Sequence, residues 1–384
     1  MYGDHPRAED LISGAQTSNE ATSVRVVFAP GQPAGFGEDV KRRVAEYFES
    51  RKLSPKANAS MVLRTIVVLA VTFGAYALIL SNRFGPWQML GLAVVMGIGT
   101  AGIGFGVAHD ALHGAYSSRP WLNKLFGYTF ELIGASGAMW RLTHNVIHHT
   151  YPNVHGVDED LDVSPLLRLS PQAERRGIHR FQHRYAAIAY SFTTLFWVFV
   201  KDYKYFLMRD LGPFKDKKHS RSEVVTLVVS KLVYYTYTIV IPLLVLHVTW
   251  WQFAIGFLAM HLTAGFILGI VFQLAHVVED TEHPVPAADG AIDTAWMIHQ
   301  MRTTSDFATS NRWLSWYVGG LNFQVEHHLF PKVCSVHYPA ISRIVRQTAA
   351  DHGVPHHHHD TMREAVRSHL RILKELGRAP APAV

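Results

Sequence analysis

Four groups of residues in this chain have the types and spacing to hold metal: HDALH at 109–113, HNVIHH at 144–149, His276 in FQLAH, and QVEHH at 324–328. Within each box the i, i+3 and i, i+4 spacings bring imidazoles to one side of a helix, as helices converging on a metal require. Together they offer eight histidines, His109, His113, His144, His148, His149, His276, His327 and His328, with Gln324 standing where a ninth ligand would fit. Neutral imidazole suits zinc, copper, iron and nickel, but four ligands fill a tetrahedral zinc site, so eight fit two metals better than one. Two irons held mainly by nitrogen can activate dioxygen for attack on an unactivated C–H bond, which no side chain manages alone.

The elements that must position these groups are membrane spans. Of 384 residues, 48% are hydrophobic and only 17% charged, a balance that favours an integral membrane protein over a soluble enzyme of equal length. Four apolar segments, about 61–80, 88–107, 224–246 and 251–275, are long enough to cross a hydrocarbon core of about 30 Å. Short connectors, SNRFGPW and HVTW, pair them into two helical hairpins. Two smaller apolar stretches, Trp121 to Trp140 and Tyr185 to Val200, are broken or too short and read as interfacial or partly buried helices.

Lysine and arginine set the orientation. Residues 1–60 carry 8 of them, 108–223 carry 15 and the chain from 276 onward carries 10, against a single Arg83 in the connectors. Both termini and the middle segment are therefore expected on the cytoplasmic side. Arg64 and Lys231, near the cytoplasmic ends of their spans, are expected to snorkel to the interface, and Trp87, Trp250 and Trp251 to anchor the opposite one. All four histidine groups then meet on one membrane face. The architecture that follows is all-α: residues 1–60 as a cytoplasmic segment, 61–377 as the membrane domain with a helical cytoplasmic cap over a di-iron site, and 378–384 as a flexible tail. The net charge of +6 points to anionic lipid, since no nucleic-acid motif accompanies it. A lone cysteine, Cys334, excludes an internal disulfide framework and a thiolate cluster, and the first 60 residues show no apolar signal-peptide core.

The order HxxxH, HxxxHH, QxxHH, with four spans around it, resembles the membrane fatty acid desaturase family. The phrases HNVIHHTYPNVHGVDEDLD and GGLNFQVEHHLFP resemble its front-end, or linoleoyl-CoA type, branch. The resemblance implies a di-iron enzyme that inserts a cis double bond into a long acyl chain carried by coenzyme A or a lipid, using dioxygen and two electrons. It implies iron ligation by the eight histidines, and ligation or an outer contact by Gln324. Many eukaryotic front-end enzymes carry a fused cytochrome b5 domain with an HPGG haem motif. Here HPRA at 5–8 lacks the glycines, so no haem is expected in this chain, and a separate ferredoxin or cytochrome b5, with its reductase, is expected to donate electrons.

Asp110, Asn145 and Glu326 are candidates to orient the ligands from behind. The run Asp158, Glu159, Asp160, Asp162 offers further candidates for that role, against the plainer reading of a solvated loop and helix cap. HRFQH at 179–183, flanked by Arg180 and Arg184, is read as a surface helix face, and HHHH at 356–359 as a solvated native stretch. His261, about four turns from His276, is expected to bond across helices or line an acyl tunnel. Lys215, Lys217, Lys218 and Arg221 can grip phosphates or a headgroup, though a positive anchor before the third span explains them as well. Two rival classes share some features. Hydroxylases and ketolases of the same superfamily have the box pattern, and a metal transporter or haem carrier would place its ligands within the spans.

Overall fold

The computed structural model describes residues 26–31, 35–161 and 165–378. Asp162, residues 1–25 and almost all of the expected tail lie outside the described residues. In chain order the main elements are β1 (Val27–Phe28), α1 (Phe36–Ser50), the spans α2 (Ala59–Leu80) and α3 (Pro86–Leu112), α4 (Gln182–Ser191), α5 (Thr193–Phe196), and the spans α6 (Arg221–Val245) and α7 (Trp250–His276). There follow β2 (Ala291–Ile292), α8 (Trp296–Thr303), β3 (Ser305–Phe307), α9 (Gln324–Leu329), α10 (Tyr338–Asp351), β4 (His357–His359) and α11 (Met362–Leu376).

Local sequence sets the span starts. Asn58 accepts the Met61 amide at 3.1 Å, Pro86 opens α3, and Ser220 with Glu223 forms a capping box for α6. The second span runs unbroken to Leu112, past the expected end at 107, and so delivers the first histidine box on the same helix. It need not stop at the membrane surface because Ala108 to Leu112 are buried under the cap. A π-helical stretch, Gly104–Ala108, immediately precedes His109.

Helix α3 forms the centre of the bundle, between α2 and α7. Close approach needs small residues where lipid supplies no hydrophobic drive between helices. A Cβ at Gly97 would overlap the Met260 carbonyl, and one at Gly265 would overlap the Ser191 carbonyl, so α3, α7 and the α4–α5 corner approach backbone to backbone.

The two span cations do not snorkel. Arg64 is buried and donates to Ser335 Oγ at 3.0 Å; Lys231 is buried and donates to Asp202 Oδ2 at 2.8 Å and to the Gly134 and Val198 carbonyls at 2.7 and 2.8 Å. Partners offered by the cap made burial cheaper than reaching for water. Trp87 and Trp250 are exposed, as interfacial anchors are.

The cap contains short helices: Pro120–Gly127, Thr129–Leu132 and Gly137–Trp140 occupy the first short apolar stretch, and α4 and α5 lie along α7 in the second. Parallel two-strand pairings, β1 with β2 and β3 with β4, are the strands among the described residues. Two histidine motifs are less exposed than expected. His357–His359 form β4, pair with Ser305–Phe307 and are half-buried, so the stretch is not a solvated tail. His179 is buried in a tight turn, where its Nδ1 accepts the Arg176 amide at 3.0 Å. His261 makes the expected cross-helix contacts, 2.9 Å from Tyr234 Oη and 3.1 Å from Thr194 Oγ1.

Candidate metal centre

The end of α3 supplies His109 and His113, one turn apart. The second box does not form an α-helix. Arg141–His148 is π-helical, and its wider turn stands His144 above His148 with ring centroids 5.0 Å apart and planes 21° from parallel. His149 turns away at 83° to His148. His276 is the last residue of α7, and α9 presents His327 and His328 as neighbours.

All eight side chains converge. Nitrogens of His109, His113, His144 and His327 lie within 4.8 Å of one another, as do those of His148, His276 and His328. His149 joins the two sets, grouped with both His327 and His328. The side chain of Gln324 lines the same space as His109, His144 and His327.

The outward nitrogens are tied off, and that is the strongest sign of a metal site. Nδ1 of His148 faces Asp158 Oδ2 at 3.0 Å, that of His328 faces Gln300 Oε1 at 2.8 Å, and that of His327 faces Tyr338 Oη at 3.1 Å. His276 Nδ1 is 3.2 Å from the Thr303 carbonyl, and His144 Nδ1 is 3.5 Å from Asp160. The Nε2 atoms of these five histidines are buried and have no hydrogen-bond partner. A buried polar atom left unpaired is costly, and these five, divided between the two groups above, are placed to give their lone pairs to bound metal.

Electrostatics favour neutral ligands. Burial pushes His144 down to about 3, and burial with repulsion from neighbouring imidazoles holds His149, His327 and His328 well below the usual histidine range. His148 is the exception: burial opposes its imidazolium, but the Asp158 carboxylate outweighs burial and raises it. Burial alone would raise Asp160, yet the Lys201 ammonium, 2.9 Å away, holds that carboxyl below the usual range.

Of the acidic run, Asp158 and Asp160 therefore take the ligand-orienting role and not that of a solvated loop. Asp158 and Asp160 are buried because histidine and lysine partners compensate them. Asn153, held at φ 61°, donates to the carbonyls of His276, Glu282 and Thr303 and so clamps the loop to the end of α7. Asp110 is buried with its Oδ1 3.8 Å from His109 Nδ1, while its Oδ2 accepts from Ser335 Oγ at 2.8 Å, the Ser335 amide at 3.1 Å and Cys334 Sγ at 3.1 Å. Asn145 donates to the Leu112 carbonyl at 2.9 Å, pinning the second box to the first, and Glu326 faces Asp306 and His356. Trp140, stacked on His144 at 4.4 Å, and the outer partners Gln300, Thr303, Tyr338 and Lys201 carried no signal in the sequence. Of the basic cluster, Lys215 pairs with Asp210 and Lys217 donates to the Tyr205 carbonyl, while Lys218 is exposed and Arg221 begins α6.

A cavity of about 330 Å³ opens from His109, His144, His327 and Gln324. Apolar side chains of α3, α5 and α7, among them Phe105, Leu268 and Phe272, line it, and Lys201 and Asp160 are its charged residues. Leu166 and Phe192, both about half exposed, also line it, so its mouth is apolar. Metal beside a narrow apolar cavity is the arrangement needed to oxidise a hydrocarbon chain at a fixed carbon.

The relatives agree with that chemistry. The sn-1 linoleoyl-lipid 6-desaturase of Synechocystis sp. is 36% identical over 93% of this chain and 99% of its own length. The enzyme of the same name from Arthrospira platensis is 35% identical over 94% and 97%, and the acyl-lipid (8-3)-desaturase of Physcomitrium patens is 34% identical over 91% and 73%. The fatty acid desaturase family model matches residues 85–360. With four spans, a buried histidine cluster and these relatives, the chain belongs to the fatty acid desaturase family: it is an integral membrane oxidoreductase that desaturates a fatty acyl chain through iron-dependent catalysis.

Proposed function

We propose that the protein is a front-end desaturase of lipid-bound linoleoyl chains, with position 6 the first candidate for the new bond. Similarity to two linoleoyl-lipid 6-desaturases over almost the whole chain supports the substrate class. The observation that carries the reading is the apolar mouth of the cavity beside the histidines. A lipid acyl chain can enter it from the bilayer, whereas none of Lys215, Lys217, Lys218 or Arg221 lines it to receive coenzyme A phosphates.

Two irons fit the donors. His109, His113, His144 and His327 would hold one and His148, His276 and His328 the other, with His149 grouped with His327 and His328 and Gln324 at the cavity edge. When bound, reduced iron supplies the activation of dioxygen that C–H cleavage needs. The protein positions the rest. Asp158, Gln300 and Tyr338 fix ring orientation, Trp140 holds His144 against the cavity wall, and the apolar lining excludes water from the reacting carbons. Electrons come from a separate ferredoxin or cytochrome b5 docking on the cap side, which the lysine and arginine distribution assigns to the cytoplasm along with both termini.

The test is reconstitution in liposomes with ferredoxin, its reductase and NADPH, offering labelled linoleate either as an sn-1 membrane lipid or as linoleoyl-CoA. The proposal predicts a new double bond in the lipid-bound chain and little in the thioester. Preference for the thioester would sink the lipid assignment, and a hydroxylated product would replace desaturation by oxygen insertion.

A further inference from the structure

The tetrahistidine stretch and Glu326 meet in a second cluster that the eight-histidine centre does not use. Asp306 on β3, Glu326 on α9 and His356, the residue before β4, place one ligand atom each within 4.8 Å of one another. Asp306 and Glu326 are completely buried. Asp306 Oδ1 accepts the Val325 amide at 3.0 Å, but its Oδ2 and both Glu326 carboxylate oxygens have no hydrogen-bond partner. His356 Nε2 is likewise buried and without one, 3.5 Å from Asp306 Oδ2 and 3.8 Å from Glu326 Oε1.

Two carboxylates and an imidazole lone pair aimed at one dry point are unfavourable unless something positive sits between them. The neighbouring cation is insufficient. Arg346 is 39% exposed along its side chain, stands 3.6 Å from Asp306 Oδ2, and donates to Thr309 Oγ1. One partly exposed arginine against two buried carboxyl groups leaves them to be neutralised by a proton or by a bound cation.

The geometry points to a divalent transition-metal site of the zinc class formed by Asp306, Glu326 and His356. Ligand atoms about 2.0–2.1 Å from a tetrahedral ion stand about 3.3 Å apart, close to the separations present. An imidazole ligand selects against magnesium and calcium, which take oxygen alone. A water completes the fourth position. The ion joins β3, α9 and the segment leading into β4, so it braces from behind the helix that presents His327 and His328. Its role is structural, and it stands whether or not the acyl substrate is the one proposed above.

The test uses purified, iron-loaded full-length protein exposed to limiting Zn2+, with metal counted per chain and the zinc environment read by X-ray absorption. The expected result is one zinc beyond the iron, bound by one imidazole and otherwise oxygen, with a higher unfolding temperature. His356→Ala and the milder His356→Gln are expected to lose that zinc at least tenfold while keeping the wild-type iron count. Absence of zinc from the wild-type protein, which would leave a shared proton as the neutralising group, overturns the site without any variant. So does zinc retained undiminished in the folded variants, or a zinc spectrum with several imidazoles, which would place the ion among the eight histidines.

Discussion

Replacing Asp158 by asparagine isolates what the acidic loop does. The carboxylate accepts three hydrogen bonds: its Oδ2 faces His148 Nδ1 and the Asn153 amide, both at 3.0 Å, and its Oδ1 takes the Asp160 amide at 3.1 Å. Asparagine is isosteric but turns one acceptor into a donor. If it keeps its oxygen toward His148, its NH2 meets the Asp160 N–H, an unmade buried bond worth about 1–3 kcal/mol. If it turns, the NH2 donates to His148 Nδ1, the imidazole proton moves to Nε2, and the lone pair needed for metal is lost. Removing such an outer partner costs roughly 10–100-fold in metal affinity. The loss should fall on one ion only, because His148 groups with His276 and His328 while the other set lies across His327. Iron retained against a chelator therefore drops from two toward one per chain in Asp158→Asn and Asp158→Ala. Asp210→Asn, at an exposed pair with Lys215, keeps both. Wild-type iron retention in folded Asp158→Asn would refute the reasoning.

Acidification should separate the same two positions. A pKa raised in the folded protein, as at His148, means that proton binds first as pH falls, so metal beside His148 is displaced first; of the other set, His144, at about 3, and His327, also lowered, stay free of proton competition to lower pH. Bound iron followed from pH 8 to 5 should leave in two steps, and simultaneous loss of both ions contradicts the assignment. Lys231→Met leaves Asp202 buried and unpaired, which costs about 3–5 kcal/mol, and adding Asp202→Asn should recover part of it. Unfolding in detergent measures both, and additive losses would show that the pair is not coupled. Thr100→Trp narrows the cavity nine residues, about 13.5 Å, from His109 along α3. Each methylene excluded from an apolar pocket is worth about 0.8 kcal/mol, or roughly fourfold, so loss of two should lower turnover of linoleoyl chains about fifteenfold relative to shorter ones, read as the product ratio from mixed substrates. An unchanged ratio would remove that wall from the acyl path.

Much of this arrangement is legible in the sequence because hydropathy and histidine spacing are local patterns. The spans lie within a few residues of their expected limits, except that α3 continues to Leu112 where burial under the cap replaces lipid. Compensation by distant residues is not legible. Asp158 and Asp160 look like a solvated turn until His148, His144 and Lys201 are brought to them, and Arg64 and Lys231 look like interfacial anchors until Ser335 and Asp202 are. Gln300 and Tyr338 carry no periodicity of their own, and only the fold gives each an imidazole to orient. The π-helix at Arg141–His148 is equally silent, since the i, i+4 spacing of its histidines also fits an α-helix.

The central claim is that the histidine cluster beside an apolar cavity desaturates an acyl chain. Gas chromatography with mass spectrometry of fatty acid methyl esters tests it most directly, in linoleate-fed cells expressing this chain with an electron donor, against cells expressing His327→Ala. An acid with one more double bond than linoleate is expected, absent from the variant. A hydroxylated acid, or no new acid from iron-loaded protein, would contradict it.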